Sequence, residues 1–242
     1  MKRFAISVLF SLFVFCPAVY CVPLERPNLD GQLNPGEDVA VEIISPKMDE
    51  VLEKGPVTVN FEVSNFDMKA NGPHLHCVLD NRYYLEHVDP KTAIRINSIS
   101  PGTHVLAVFA VASWHESWKN KEASAVVKFH VGKETAENDA NMKGPFLILN
   151  MPMGHVQKWA DKWVLFDFLI FNATIADDDT RIQDYRVHYS LDGDDASVEY
   201  LESRFWLDMK PGPHRIEIGL TDRHDRPVSN GNWTSTSRQF YV

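Results

Sequence analysis

The sequence predicts an all-β protein built as two tandem antiparallel β-sandwiches. Three observations carry that expectation. Apolar residues recur with a two-residue period in short stretches separated by turn signals, the pattern of half-buried strands. No window has the 3.6-residue period of an amphipathic helix. And the chain repeats itself: Ser100-Pro101-Gly102-Thr103-His104 is echoed by Lys210-Pro211-Gly212-Pro213-His214, and His76-Cys77-Val78-Leu79-Asp80 by His188-Tyr189-Ser190-Leu191-Asp192. A repeat of that length marks two copies of one folding unit.

Residues 1–21 read as an export signal. Lys2 and Arg3 precede a nearly unbroken apolar run that Pro17 ends, too short to span a bilayer. The expected cut lies near Cys21, giving a secreted or periplasmic protein with no membrane span. Residues 22–38, with Pro23, Pro27 and Pro35, read as a flexible leader. The first sandwich is expected over 39–131, a polar linker over 132–143 and the second sandwich over 144–242. Strands are expected at 39–45, 57–63, 74–80, 93–97, 104–111 and 124–131 in the first copy. Those of the second are 146–150, 163–172, 184–191, 197–208, 214–221 and 235–242.

Removing the signal takes 24 basic residues to 22 against 33 acidic ones, a net charge of −11 with His neutral. Such a surface repels phosphate, which argues against nucleic acid and anionic membranes as partners. Cys16 and Cys21 leave with the signal, so Cys77 stands alone and no internal disulfide forms. Its position on the apolar side of a strand predicts a buried, inert thiol.

Alternation assigns the faces. Leu75, Cys77 and Leu79 should face the core, with His74, His76 and Asp80 on the opposite side. In the following strand, Val105, Ala107, Phe109 and Val111 are apolar where the second copy has Arg215, Glu217, Gly219 and Thr221. That second apolar face in copy one implies a cover, either the second sandwich or a partner.

The histidines cluster in motifs. The first copy has His74-x-His76, His104 and His115; the second has His188, His214 and His224, with Arg186 in place of the leading histidine. The stretch Gly72-Pro73-His74-Leu75-His76-Cys77-Val78-Leu79-Asp80, with Pro101-Gly102-Thr103-His104 and His115, resembles a family of small uncharacterised bacterial envelope domains. Those domains carry a His-rich strand and a Pro-Gly-x-His turn. The resemblance implies an immunoglobulin-like sandwich and export, without a known reaction. This chain departs from it by interrupting the histidine run.

Two imidazoles at i and i+2 on a strand point the same way, so His74, His76, His104 and His115 form a candidate copper or zinc set. The competing reading has these histidines bonding turn backbones at the sandwich corners. Trp114 and Trp118 are candidates for stacking on sugar rings or anchoring a protein partner, against a role in plugging the core. Glu116 is a candidate to orient His115. Acidic loops at 177–179 and 192–195 lack calcium-loop spacing and read as solvated turns. No nucleophile elbow, phosphate loop or zinc helix occurs, so no catalytic residue is expected. The sequence thus points to an exported, non-enzymatic binding or scaffold protein of the envelope or extracellular space, with an unknown protein or glycan partner and no obligate cofactor. The alternatives are a periplasmic copper or zinc protein and a carbohydrate-binding module.

Overall fold

The computed structural model describes residues 38–156, 163–175, 184–198, 201 and 203–242. The expected signal, nearly all of the leader and the 177–179 loop lie outside the described residues. What is described is all-β: two tandem immunoglobulin-like sandwiches.

In the first sandwich, β1 (Ala40–Ser45), β3 (Val57–Ser64) and β6 (Ile94–Ile96) form one sheet in the order β1-β3-β6. The other sheet has the order β2-β8-β7-β4-β5. It comprises β2 (Glu50–Leu52), β4 (His74–Leu79), β5 (Tyr83–His87), β7 (Gly102–Val111) and β8 (Ser124–Val131). The second sandwich repeats this plan strand for strand. Its sheets are β14-β11-β9 and β10-β16-β15-β12-β13, built from β9 (Phe146–Met151), β10 (Gly154–His155), β11 (Trp163–Phe171), β12 (Tyr185–Leu191), β13 (Asp194–Val198), β14 (Arg204–Leu207), β15 (Pro213–Asp222) and β16 (Ser235–Tyr241).

Beyond the additional strands β2, β5 and β10, the structure differs from the expected strands in two respects. The single strand expected at 197–208 is two strands, β13 and β14, lying in different sheets. The sandwiches are also not wholly antiparallel: β2 runs parallel to β8, and β10 parallel to β16. Each arises where the chain leaves its first strand at an X-Pro corner (Pro46, Pro152), crosses to the other sheet and lines its far edge, shortening an exposed edge.

Each sandwich has its own core. Val59, Leu75, Cys77, Ile94, Leu106 and Phe129 centre the first, and Leu149, Phe166, Phe168, Val187, Ile216 and Phe240 the second. Burial pushes the Cys77 thiol up to about 12, so it is inert as expected. A third apolar cluster joins the two. Val105, Ala107, Phe109 and Val111 of β7 pack against Phe146, Ile148, Leu169 and Trp233 of the second sandwich. The cover for the apolar back of β7 is therefore the second sandwich itself. The linker contributes too: Ala140 is buried in this seam, and Trp233 Nε1 donates to the Asn138 carbonyl.

The corners repeat as well. Asp80, at φ +54°, places Oδ2 2.7 Å from His104 Nδ1 and accepts the Val105 N–H on Oδ1 at 2.9 Å, while His104 Nε2 donates to the Ser100 carbonyl at 2.8 Å. Asp192, also at φ +54°, does the same with His214, Arg215 N–H and the Lys210 carbonyl. Asp tolerates the left-handed region better than most residues. Burial disfavours the His104 imidazolium, yet the Asp80 carboxylate and the Ser100 carbonyl outweigh it and hold its pKa above the ordinary value.

A raised folded-state pKa stabilises the fold below the unfolded value of about 6.5. That contribution disappears as pH rises through the folded value. Asp80→Asn is expected to cost about 1.5–3 kcal/mol at pH 6, with a smaller cost at pH 8.5. Urea unfolding of both proteins at the two pH values checks this. A pH-independent difference would contradict the ionised corner.

Candidate metal centre

The site sits where β4, β5 and the loop after β7 meet the second sandwich. β4 and β5 pair with His76 opposite Glu86 and Val78 opposite Tyr84. Alternation then sets His74, His76, Tyr84 and Glu86 on one face. This face is outward from the first core, as alternation predicts, yet it is not solvent-exposed: His74 is 5% exposed and His76 0%. The second sandwich and the 112–118 loop cover it.

That loop brings in His115. Its backbone is closed by Ala112 N–H to the Glu116 carbonyl and His115 N–H to the Ala112 carbonyl, with His115 at φ +70°. The left-handed region costs a non-glycine residue roughly 1–2 kcal/mol. Such an outlier is a reason to ask what the side chain does there.

Four side chains converge: one ligand atom each from His74, His76, Glu86 and His115 lies within 4.8 Å of the others. His74 Nε2 is 3.1 Å from His76 Nε2, and His76 Nε2 is 3.0 Å from His115 Nδ1. Tyr84 Oη lies 2.6 Å from His76 Nε2 and donates to Glu86 Oε1 at 2.9 Å. Glu86 Oε1 is 3.7 Å from His115 Nδ1.

The outer nitrogens fix the tautomers. His74 Nδ1 donates to the Gly72 carbonyl at 2.8 Å. His76 Nδ1 donates to Asn150 Oδ1 at 2.7 Å. Asn150 cannot be turned round, because its amide nitrogen donates to the His115 carbonyl and to Asp167 Oδ2. Asp167, fully buried, also holds the Lys119 ammonium at 2.6 Å and accepts from Ser203 Oγ.

In their neutral forms, then, His74 and His76 both present Nε2 lone pairs, and these face each other across 3.1 Å. No neutral tautomer places a proton between them. Burial first, then the neighbouring His115, holds His76 well below its ordinary value. His115 is also lowered, by burial and His74 against the raising influence of Glu86. Burial and the Glu86 carboxylate push the Tyr84 phenol up, so it stays protonated.

The second copy shows the same corner with a different filling. Asp222 N–H to the Arg226 carbonyl and Asp225 N–H to the Asp222 carbonyl close the same loop, with Asp225 at φ +61°. The counterpart of His115 is thus Asp225, not the late histidine His224 that sequence spacing pairs with it. Arg186 stands in the position of His74, and its guanidinium donates to Asp225 Oδ1 at 2.8 Å, with His188 Nε2 3.4 Å from the same oxygen. Copy two carries its own cation at this corner. Copy one has three imidazoles around the same spot.

The remaining candidates lie elsewhere. His104 is not in the cluster; it closes the Asp80 corner because its core-side parity holds it away from the β4 face. Trp114 and Trp118 are 4% and 8% exposed and belong to the first core, so neither offers a ring face to a sugar. Glu116 is buried and accepts from Trp114 Nε1 at 2.9 Å; the carboxylate beside His115 is Glu86. Tyr84 and Glu86 escape the sequence reading because β5 was not expected as a strand, although Tyr83-Tyr84-Leu85-Glu86 alternates. Asn150 carries no sequence signal at all, since its role depends on how the two sandwiches dock.

No protein-family model matches the chain, and no curated protein matches it either. Among solved structures it is similar to the fibronectin(III)-like modules of Clostridium thermocellum CbhA, at 18% identity over 84% of this chain and 93% of that one, with TM-score 0.29. It is also similar to the D0-D1 domain of intimin, at 11% identity over 85% and 98%, TM-score 0.29. A third is a membrane-anchored protein from Corynebacterium diphtheriae, described as putative, at 13% identity over 84% and 53%, TM-score 0.27. The assignment of the fold rests on the chain's own sheet order.

Proposed function

We propose that this is an exported, non-enzymatic binding protein of the envelope or extracellular space, and that its ligand is one copper or zinc ion. His74 Nε2, His76 Nε2 and His115 Nδ1 hold the ion, with Glu86 completing the set and Tyr84 hydrogen-bonded beside it. The single observation that carries this reading is the convergence of His74, His76, His115 and Glu86 ligand atoms within 4.8 Å, with His74 and His76 each oriented by a bond on the other ring nitrogen. Tyr84 Oη and His115 Nδ1 also lie within hydrogen-bond distance of His76 Nε2, so a proton or an ion can occupy this spot, and three imidazoles with a carboxylate suit an ion. Ligands around a tetrahedral ion with bonds of about 2.0 Å sit about 3.3 Å apart, close to the observed spacing. Hydrogen bonds from ligand imidazoles to a carbonyl and an amide oxygen are the usual means of orienting them. The resemblance of the His-rich strand to exported envelope domains fits this reading.

The test uses protein purified without a histidine tag, loaded with zinc or copper(II), dialysed and measured by elemental analysis. One ion per chain is expected, falling below about a tenth of an equivalent in His76→Ala/His115→Ala. At free metal a hundredfold above Kd, wild type gains about 2.7 kcal/mol of stability. A protein that retains neither metal and shows no melting shift with either would overturn the reading.

A further inference from the structure

The residues of the proposed centre are unevenly exposed. His74 and His76 are sealed, while the side chains of His115 and Glu86 are 27% and 47% exposed. The exposed pair lines a cavity of about 310 Å³ at the junction of the two sandwiches. One wall is Tyr84, Glu86 and His115 of the first sandwich. The facing wall is Met151, Met153 and His155, from the corner and edge strand that open the second. The cavity thus sets these residues beside His115 and Glu86, the exposed members of the set.

Two thioethers and an imidazole within five residues are an unusual lining for the mouth of such a site. Met151 has a packing role, lying against the first core. Met153 is not among the residues packed against any of the three apolar clusters. The His155 ring stacks on Tyr241 at 5.1 Å between centroids, which orients it while leaving it exposed. Thioether sulfur is a soft, weak ligand that selects cuprous copper and has little affinity for zinc or harder ions.

We propose that Met151, Met153 and His155 form a second station, for cuprous copper, through which the ion enters the histidine centre. This rests on the metal reading above and narrows it: the ion handled is copper. Weak ligands suit a point of passage, because an ion held by two thioethers and one imidazole can be released to three imidazoles. No change of oxidation state is needed at this step, since only the ligands are exchanged.

The test is an anaerobic titration of copper(I), buffered by a chromogenic cuprous chelator, into untagged full-length protein, with zinc(II) stoichiometry measured in parallel. Wild type is expected to take two copper(I) ions and one zinc ion. Met151→Leu/Met153→Leu, which conserves volume, should take one copper(I) and still one zinc. His76→Ala/His115→Ala should keep the methionine-dependent copper(I) and lose zinc. If the methionine variant matches wild type in copper(I) stoichiometry and within twofold in affinity, the second station is refuted while the histidine centre stands. If only the histidine variant matches wild type for both metals, it is the histidine centre that fails. Thermal unfolding of each variant confirms that it is folded.

Discussion

Asp167→Ala is expected to lower stability by about 3–5 kcal/mol, the usual cost of stripping one partner from a buried ion pair. Asp167 is fully buried, and the Lys119 side chain it neutralises is only 17% exposed. Lys119 comes from the first sandwich and Asp167 from β11 of the second, so the loss falls on their junction. The ammonium keeps Ser117 Oγ and the Phe168 carbonyl as acceptors, but neither carries charge. The same substitution removes one of the two acceptors that hold the Asn150 amide, which fixes the tautomer of His76. In protein that still folds, metal affinity should therefore fall about 10–100-fold, the range seen when partners of ligand residues are removed. Urea unfolding and a zinc competition titration read the two effects separately. A stability loss under about 1 kcal/mol, or unchanged affinity, would contradict this chain of contacts.

Phe109→Ala carries the second large effect. Phe109 is fully buried in the seam, and its ring lies 5.7 Å from that of His76, edge to face. Removing a buried phenylalanine costs about 3–5 kcal/mol, part transfer and part cavity. The seam is a shared apolar cluster, so wild type should unfold in one cooperative transition followed by calorimetry. In Phe109→Ala the transition should split in two as the sandwiches uncouple. A single transition shifted only slightly would mean that the seam contributes little to holding the pair together.

Much of this was readable from residues alone. The duplicated Pro-Gly-x-His turn and the His-x-x-x-Asp strand end announced two copies of one unit, and period-two alternation put His74 and His76 on one face. The double-sided apolar character of β7 announced a cover. What escaped depended on distance in sequence. Alternation tells which side of a strand a residue faces, not what lies over that side, so His74 and His76 were expected to face outward and are sealed instead. Counting from Pro-Gly matched His115 with His224, one residue off, because the loop's left-handed position, not the residue type, is what the copies share. His104 had the right chemistry and the wrong parity. Of the two readings open for Trp114 and Trp118, the structure has them plugging the first core, as their apolar bulk favours.

Arg238 of β16 donates from Nη1 to the Asn150 and Pro152 carbonyls and from Nη2 to those of Asn81 and Leu149. Burial lowers it to about 10, still well above neutral, so the guanidinium remains a cation. One late side chain thus clamps the backbone that carries Asn150, and with it the amide that sets His76. A polypeptide crossing a membrane N-terminus first would deliver all three imidazoles long before this clamp arrives. Until then Asn150 would lack the clamp that sets it against His76. On the proposed reading, loading is therefore an event of the finished chain, and an ion offered earlier would meet a different, looser set of ligands.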